Sequence, residues 1–142
     1  MTERAVTEHV YGGGHPSSRP QRSVWEAMKR GFRCRCPKCG EGKLFRAFVK
    51  PVDACAVCGE EMHHQRADDL PAYITITIVG HIVLSAFLAA EMLLLLPNWI
   101  HFAIWGPLTV ILSLALLQPI KGATIGLQWA NYMHGFGGDT DD

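Results

Sequence analysis

Polar and apolar residues mix in short groups along the chain up to residue 72, and there the mixing stops. Tyr73 to Leu96 is an apolar run of 24 residues, Pro97-Asn98 interrupts it, and Trp99 to Ile120 adds another 22; neither run contains lysine or arginine. At about 1.5 Å per helical residue, each run is longer than the roughly 30 Å hydrocarbon core of a bilayer. Two residues between such runs leave room only for a tight turn. The expected architecture is therefore a membrane α-helical hairpin, with two antiparallel transmembrane helices over about 73–96 and 99–120 inside a unit at 67–121.

The flanks have other patterns. Residues 1–23 are polar and carry Gly12-Gly13-Gly14, Pro16 and Pro20. Such a stretch buries too little apolar surface to offset its ordering entropy, so a disordered tail is expected, with His9 and His15 as solvated bystanders. Trp25, Met28 and Phe32 recur at helical spacing beside Lys29, Arg30 and Arg33, which predicts an amphipathic helix over 24–33. That helix either lies on an anionic leaflet or packs on the rest of the head. Beyond the second run, Gln118-Pro119-Ile120-Lys121-Gly122 marks the exit from the membrane. Residues 122–134, with Ile125, Leu127, Trp129 and Tyr132, read as a second interfacial helix, and 135–142 as a flexible acidic tail. Gly106-Pro107 is expected to bend the second span.

Charge adds orientation. The 13 basic and 13 acidic residues balance, but 12 of the 13 basic ones precede Tyr73, Lys121 follows the second span, and the turn carries none. Positive flanks stay cytoplasmic, so both termini are expected there. The N-terminus lacks an apolar segment of signal-peptide length, so the first span is expected to act as its own signal anchor.

The candidate chemistry lies in the predicted cytoplasmic head at 34–66. All five cysteines fall between Cys34 and Cys58, and an odd number of thiols in a reducing compartment argues for metal over disulfides. Cys36-Pro37-Lys38-Cys39-Gly40 and Cys55-Ala56-Val57-Cys58-Gly59 are separated by 15 residues, the spacing of a four-thiolate zinc ribbon. Two residues between thiolates let one tight turn present both sulfurs to a tetrahedral ion. Gly40 and Gly59 would allow a positive φ that turns backbone N–H groups toward sulfur. One structural Zn2+ per chain on Cys36, Cys39, Cys55 and Cys58 is expected, with rubredoxin-like iron the competitor on the same ligands. Lys43 to Lys50 reads as a strand ended by Pro51. Cys34 stands outside the tetrahedral set, either as an unligated thiol or as an exchange ligand in a C-x-C-x-x-C run.

Other polar residues need a reading too. His63 and His64 are candidate ligands of a second site. Asp68 and Asp69 could join them, but Asp68-Asp69-Leu70-Pro71 reads more simply as a helix start with acidic caps and an early proline. Within the spans, His81 and Glu91 are costly and ask for partners. Glu91 lies near the turn, within reach of His101. His81 lies about 15 Å farther along the helix and is expected to bond the second helix or a neighbouring subunit. Gly80, Ser85, Ala86, Ala89 and Ala90 offer a small-residue surface for close helix contact.

The run from Cys36 to Phe45, the Cys55/Cys58 pair, Ala67-Asp68-Asp69-Leu70-Pro71-Ala72-Tyr73, Gly80-His81, Pro119-Ile120-Lys121-Gly122 and Gln128-Trp129 occur in a familiar order. On these residues Arg33 to Trp129 resembles the bacterial membrane family catalogued as domain of unknown function 983. Leu70 stands where many relatives would have glycine, which implies a slightly different turn before the first span. The resemblance implies a zinc-ribbon protein with two spans in the bacterial inner membrane. Through members encoded near assembly factors of the haem–copper oxidase, it also implies a part in biogenesis of a respiratory complex.

No nucleophile–base pair, phosphate-binding glycine loop or dinucleotide fingerprint is visible, so a non-enzymatic accessory protein is expected, with the ribbon as a cytoplasmic docking module. Its expected partners are the lipid bilayer and a membrane protein complex or copies of itself, with no small-molecule substrate. The alternatives are an oligomeric transporter or channel-like protein using His81 and Glu91, and a membrane-bound metal relay using Cys34, His63 and His64. Trp25 to Arg66 carries nine basic and five acidic groups, a net of +4 without a stripe of stacking aromatics, which speaks against nucleic acid.

Overall fold

A computed structural model describes residues 19–137. Residues 1–18, with most of the expected disordered tail and both of its histidines, and 138–142 of the expected acidic tail lie outside the described residues. The described elements are α1 (Val24–Phe32), β1 (Phe45–Ala47), β2 (Lys50–Pro51), α2 (Leu70–Leu93), α3 (Asn98–Ala130) and a 3-10 turn at Met133–Gly135.

Two helices dominate. α2 has 24 residues and α3 has 33, and each is long and apolar enough to cross a bilayer. They pack on each other and are joined by the extended link Leu94 to Pro97. α3 begins at Asn98, with Pro97 and not Asn98 in the cap position. At about 1.5 Å per residue α3 is about 50 Å long, some 20 Å more than a bilayer core requires. Its burial shows where the excess lies. From Phe102 to Pro119 no residue is buried, whereas Ile120, Gly122, Thr124, Ile125, Gly126, Gln128, Trp129 and Ala130 all are.

This corrects the expectation of a separate interfacial helix over 122–134. Neither Pro107 nor Pro119 ends the helix, and its last turns are the central strut of the head. α1 packs antiparallel along that strut, Gly31 against Gly122 and Ala27 against Gly126. Of the two expectations for α1, packing on the head is the one observed, through Ala27 and Gly31; Trp25 and Phe32 point outward. The contact pairs Ala27-x-x-x-Gly31 with Gly122-x-x-x-Gly126, small residues four apart that let two backbones touch. A Cβ on Gly31 would lie 2.7 Å from the Gly122 carbonyl carbon, so glycine is required there.

The ribbon sits against this pair of helices. The expected single strand over 43–50 is instead a hairpin: the chain turns at Phe48-Val49, and β1 pairs antiparallel with β2, Phe45 opposite Pro51 and Ala47 opposite Lys50. Leu44 and Phe45 are both buried, so burial does not alternate as one long strand would require. Pro51 is tolerated because its pair is two residues long and open at the edge. Leu44, Phe45, Met62, Ala67, Ile125, Trp129 and Phe136 form one core with Cys36 and Cys55, joining ribbon, strut and C-terminal turn.

Candidate metal centre

Each cysteine pair is held by a turn of the same design. The Gly40 N–H donates to the Cys36 carbonyl at 2.8 Å and the Gly59 N–H to the Cys55 carbonyl at 2.9 Å, with φ of +74° and +70°. Positive φ is as expected, but these glycine N–H groups close the turns and do not point at sulfur. The N–H groups near sulfur are those of Lys38 and Cys39 at Cys36, Glu41 and Gly42 at Cys39, and Glu60 at Cys58. A short antiparallel bridge then closes each arm, Arg35 with Lys43 and Ala54 with Glu61.

The two turns bring all four sulfurs within 4.8 Å of one another. Cys36 Sγ lies 3.7 Å from Cys58 Sγ, and Cys39 Sγ lies 3.8 Å from Cys55 Sγ. A tetrahedral ion with metal–sulfur bonds of about 2.3 Å has sulfur–sulfur edges of about 3.8 Å. The donor set fits such an ion, and the edge length is the same for zinc and for iron. Gly42 explains the second glycine of the first arm: a Cβ there would run into the Cys55 sulfur.

The electrostatics suit thiolates facing a cation. Backbone N–H groups of Gly42 and Glu41 lower the Cys39 thiol to about 6. Burial pushes Cys36 far above the usual thiol range and raises Cys58 as well. Buried thiols that resist ionising alone become favourable ligands once a metal compensates the charge.

The centre is bolted to α3 through Glu60, the residue after the second turn. Its carboxylate accepts from Trp129 Nε1–H at 2.8 Å and from Lys38 Nζ at 2.8 Å. Burial alone would raise this carboxyl, but those two hydrogen bonds hold it below the usual carboxylate value. Arg22 caps the group, stacking 4.0 Å from the Trp129 ring centroid and donating to the Trp129 carbonyl at 2.8 Å. One residue earlier, the Gln128 amide takes Arg66 in both directions: its Nε2 donates to the Arg66 carbonyl at 2.8 Å and its Oε1 accepts the Arg66 N–H at 3.0 Å. Gln128 thus fixes the segment that leads into α2.

The family described as protein of unknown function (DUF983) matches residues 45–129. The chain belongs to this family. No curated protein and no solved structure matches the chain. The DUF983 match spans the second cysteine pair, both long helices and the Gln128-Trp129 clamp; the first pair, Cys36 and Cys39, precedes it. Sequence patterning alone gave Gln128, Glu60 and Gly126 no role, and read Trp129 as part of an interfacial helix and Gly122 as part of the membrane exit. The readable signal was Gly122-x-x-x-Gly126 in a segment without span length, and the partner motif on α1 was hidden beneath a more visible aromatic periodicity.

The other candidate residues separate clearly. Cys34 is a half-buried thiol with φ +59° outside the four-sulfur cluster, and burial raises it. His63 and His64 stack at 3.9 Å between ring centroids, and both face Glu61 Oε2, His64 at 3.2 Å and His63 at 3.8 Å. These three offer ligand atoms within 4.8 Å of one another on the exposed side of the head. Asp68 and Asp69 do not join them. Asp69 occupies the cap position of α2, but its side chain makes no capping hydrogen bond, since the residue is in a helical conformation, where the carboxylate is not aimed at the free N–H groups.

In the long helices, His81 is exposed, and its Nδ1 lies 2.7 Å from the Thr77 carbonyl of its own helix; among the described residues it makes no hydrogen bond to the second helix. Glu91 and His101 do meet, with Oε2 3.0 Å from Nε2 at an angle short of a hydrogen bond. Trp105 Nε1–H donates to His101 Nδ1 at 3.2 Å, which leaves the ring proton on Nε2, facing Glu91. With Phe87, Asn98 and Phe102 they line a cavity of about 370 Å3 beside the α2–α3 link.

Proposed function

We propose that this protein is a non-enzymatic accessory protein of the bacterial inner membrane, with one structural zinc ion per chain and a ribbon that serves as a cytoplasmic docking module. The observation that carries this reading is the continuity of α3, which runs from an apolar span directly into the ribbon's core. A domain mounted so firmly is suited to presenting a fixed surface at a set distance from the bilayer. In this reading α2 and α3 form a transmembrane hairpin, and the concentration of basic residues before Tyr73 puts both termini in the cytoplasm.

The cysteine chemistry supports a structural ion: all four positions are thiolate, none is open to substrate, and so small a head needs its metal to hold together. A pore built on His81 and Glu91 has less support, because Glu91 faces His101 and His81 bonds its own helix. The partner we propose is a larger membrane complex, with respiratory-complex biogenesis as the setting implied by the family resemblance. The test is to tag the C-terminus, crosslink intact cells and identify co-purifying proteins by mass spectrometry. Enrichment of respiratory-complex subunits or their assembly factors supports the proposal. Recovery of only crosslinked copies of the chain itself overturns it in favour of a homo-oligomer.

A further inference from the structure

On the side of the head nearest the apolar part of α3, three cations converge on one cavity. Arg33, Arg35 and Lys43 line a space of about 360 Å3 with Glu41, Phe45 and Gln118. Arg35 and Lys43 are partners in the bridge that closes the first arm, so two like charges sit directly opposite each other. Such a pair is unfavourable unless an anion lies between or beside the two charges. Neither residue, nor Arg33, has a carboxylate within 4.0 Å among the described residues; Arg35 donates only to the Glu41 backbone carbonyl, at 3.0 Å. Lys38 and Arg46, by contrast, are each paired with a carboxylate, Glu60 at 2.8 Å and Asp53 at 3.6 Å.

The position of the cavity identifies the anion. Gln118 is the last residue before Pro119 and the start of the buried part of α3. Gly31 against Gly122 brings the end of α1, and Arg33 with it, to this same level. Ile111 and Leu114 precede Gln118 by seven and four residues, so all three share one helix face, and both apolar residues are exposed. A cationic cavity continuous with an apolar helix face matches one kind of molecule, with a phosphodiester at one end and an acyl chain at the other.

We infer that this cavity binds the headgroup of an anionic phospholipid, with the phosphodiester held by Arg33, Arg35 and Lys43 and an acyl chain lying along Leu114 and Ile111. The inference rests on the reading of α2 and α3 as membrane spans. It gives the ribbon a second function, that of selecting a lipid as well as a partner. Guanidinium groups supply paired donors for the phosphate oxygens, and Lys43 adds a point charge.

The test uses the full chain extracted from membranes into a mild zwitterionic detergent. Short-chain phosphatidylglycerol, phosphatidylcholine with the same chains, and inorganic phosphate are each titrated, and the shift in thermal unfolding gives an apparent affinity. The wild type is expected to respond to phosphatidylglycerol at concentrations where phosphatidylcholine and phosphate do little. The double variant Arg35→Gln/Lys43→Gln is expected to bind phosphatidylglycerol about tenfold more weakly or worse. Lys29→Gln/Lys50→Gln, which removes the same charge from residues that do not line the cavity, is expected to behave as wild type. Metal content equal to wild type reports an intact ribbon; should the double variant fail that check, Arg33→Gln replaces it in the same titration. Equal responses to the two lipids, an equal response to free phosphate, or equal weakening in the control variant overturns the inference. Recovery of the chain in the soluble fraction would refute the membrane reading instead.

Discussion

Replacing Gly31 by alanine tests the α1–α3 contact with the smallest possible perturbation, one methyl group. The added Cβ would lie 2.7 Å from the Gly122 carbonyl carbon, and the ordinary separation of such atoms is about 3.5–4.0 Å. The helices must therefore part by about 1 Å, and a gap of that size forfeits roughly a quarter to a half of each lost contact's dispersion energy. Neither neighbour can give way easily, because the obstacle is backbone and not the end of a flexible side chain. Overpacking of this kind costs about 1–3 kcal/mol, against a gain of at most about 1 kcal/mol from placing alanine for glycine in a helix. Gly31→Ala and Gly122→Ala are each expected to destabilise by about 1–2 kcal/mol, and their effects are not additive because they share one contact. Gly80→Ala supplies the internal comparison, since a Cβ there meets nothing within 4 Å; it is expected to be neutral or slightly stabilising. The assay is thermal unfolding of the purified protein in mild detergent, followed by circular dichroism alongside metal retention. If Gly31→Ala unfolds at the same temperature as Gly80→Ala, the close contact between α1 and α3 is refuted.

The metal and its mounting give further predictions. Cys36→Ser and Cys58→Ser are expected to abolish stoichiometric metal binding and to lower steady-state abundance in membranes, whereas Cys34→Ser retains one ion per chain; metal analysis with immunoblotting checks both. Trp129→Phe removes the donor to Glu60 and is expected to cost about 1.5–3 kcal/mol, as for a hydrogen bond to a charged group. In a Glu60→Gln background the same substitution should cost clearly less, a difference read from a double-mutant cycle in thermal unfolding. Gln128→Leu keeps the bulk but leaves the Arg66 N–H and carbonyl without their partner. It is expected to lose about 1–3 kcal/mol and to speed protease cleavage between Met62 and Leu70.

Much of this arrangement was legible in the sequence because the signals were local. Span length and apolarity are properties of a continuous segment, and two residues between cysteines dictate a turn whatever surrounds it. The Glu91–His101 meeting could be read from the brevity of the link between the helices. What could not be read depended on contacts across long separations. Trp129 and Glu60 are 69 residues apart, Gln128 and Arg66 are 62 apart, and nothing near either member announces the other. Gly122 and Pro119 mislead locally, since both favour ending a helix. Here α1 and the ribbon bury the segment that follows and hold it helical. The aromatic periodicity of α1 misled as well: Trp25 and Phe32 set the visible pattern, but the packing face is the inconspicuous Ala27 and Gly31.

The claim that the metal ribbon and the end of α3 form one unit continuous with the span is tested most directly by hydrogen exchange. Full-length protein in detergent would be compared with and without a strong chelator, and amide protection followed by mass spectrometry. On this account removal of the ion exposes residues 34–62 and, together with them, the last turns of α3 from Ile120 to Ala130, while the apolar helices from Tyr73 to Leu117 keep their protection. Loss of protection confined to 34–62, with Ile120 to Ala130 unchanged, would contradict it.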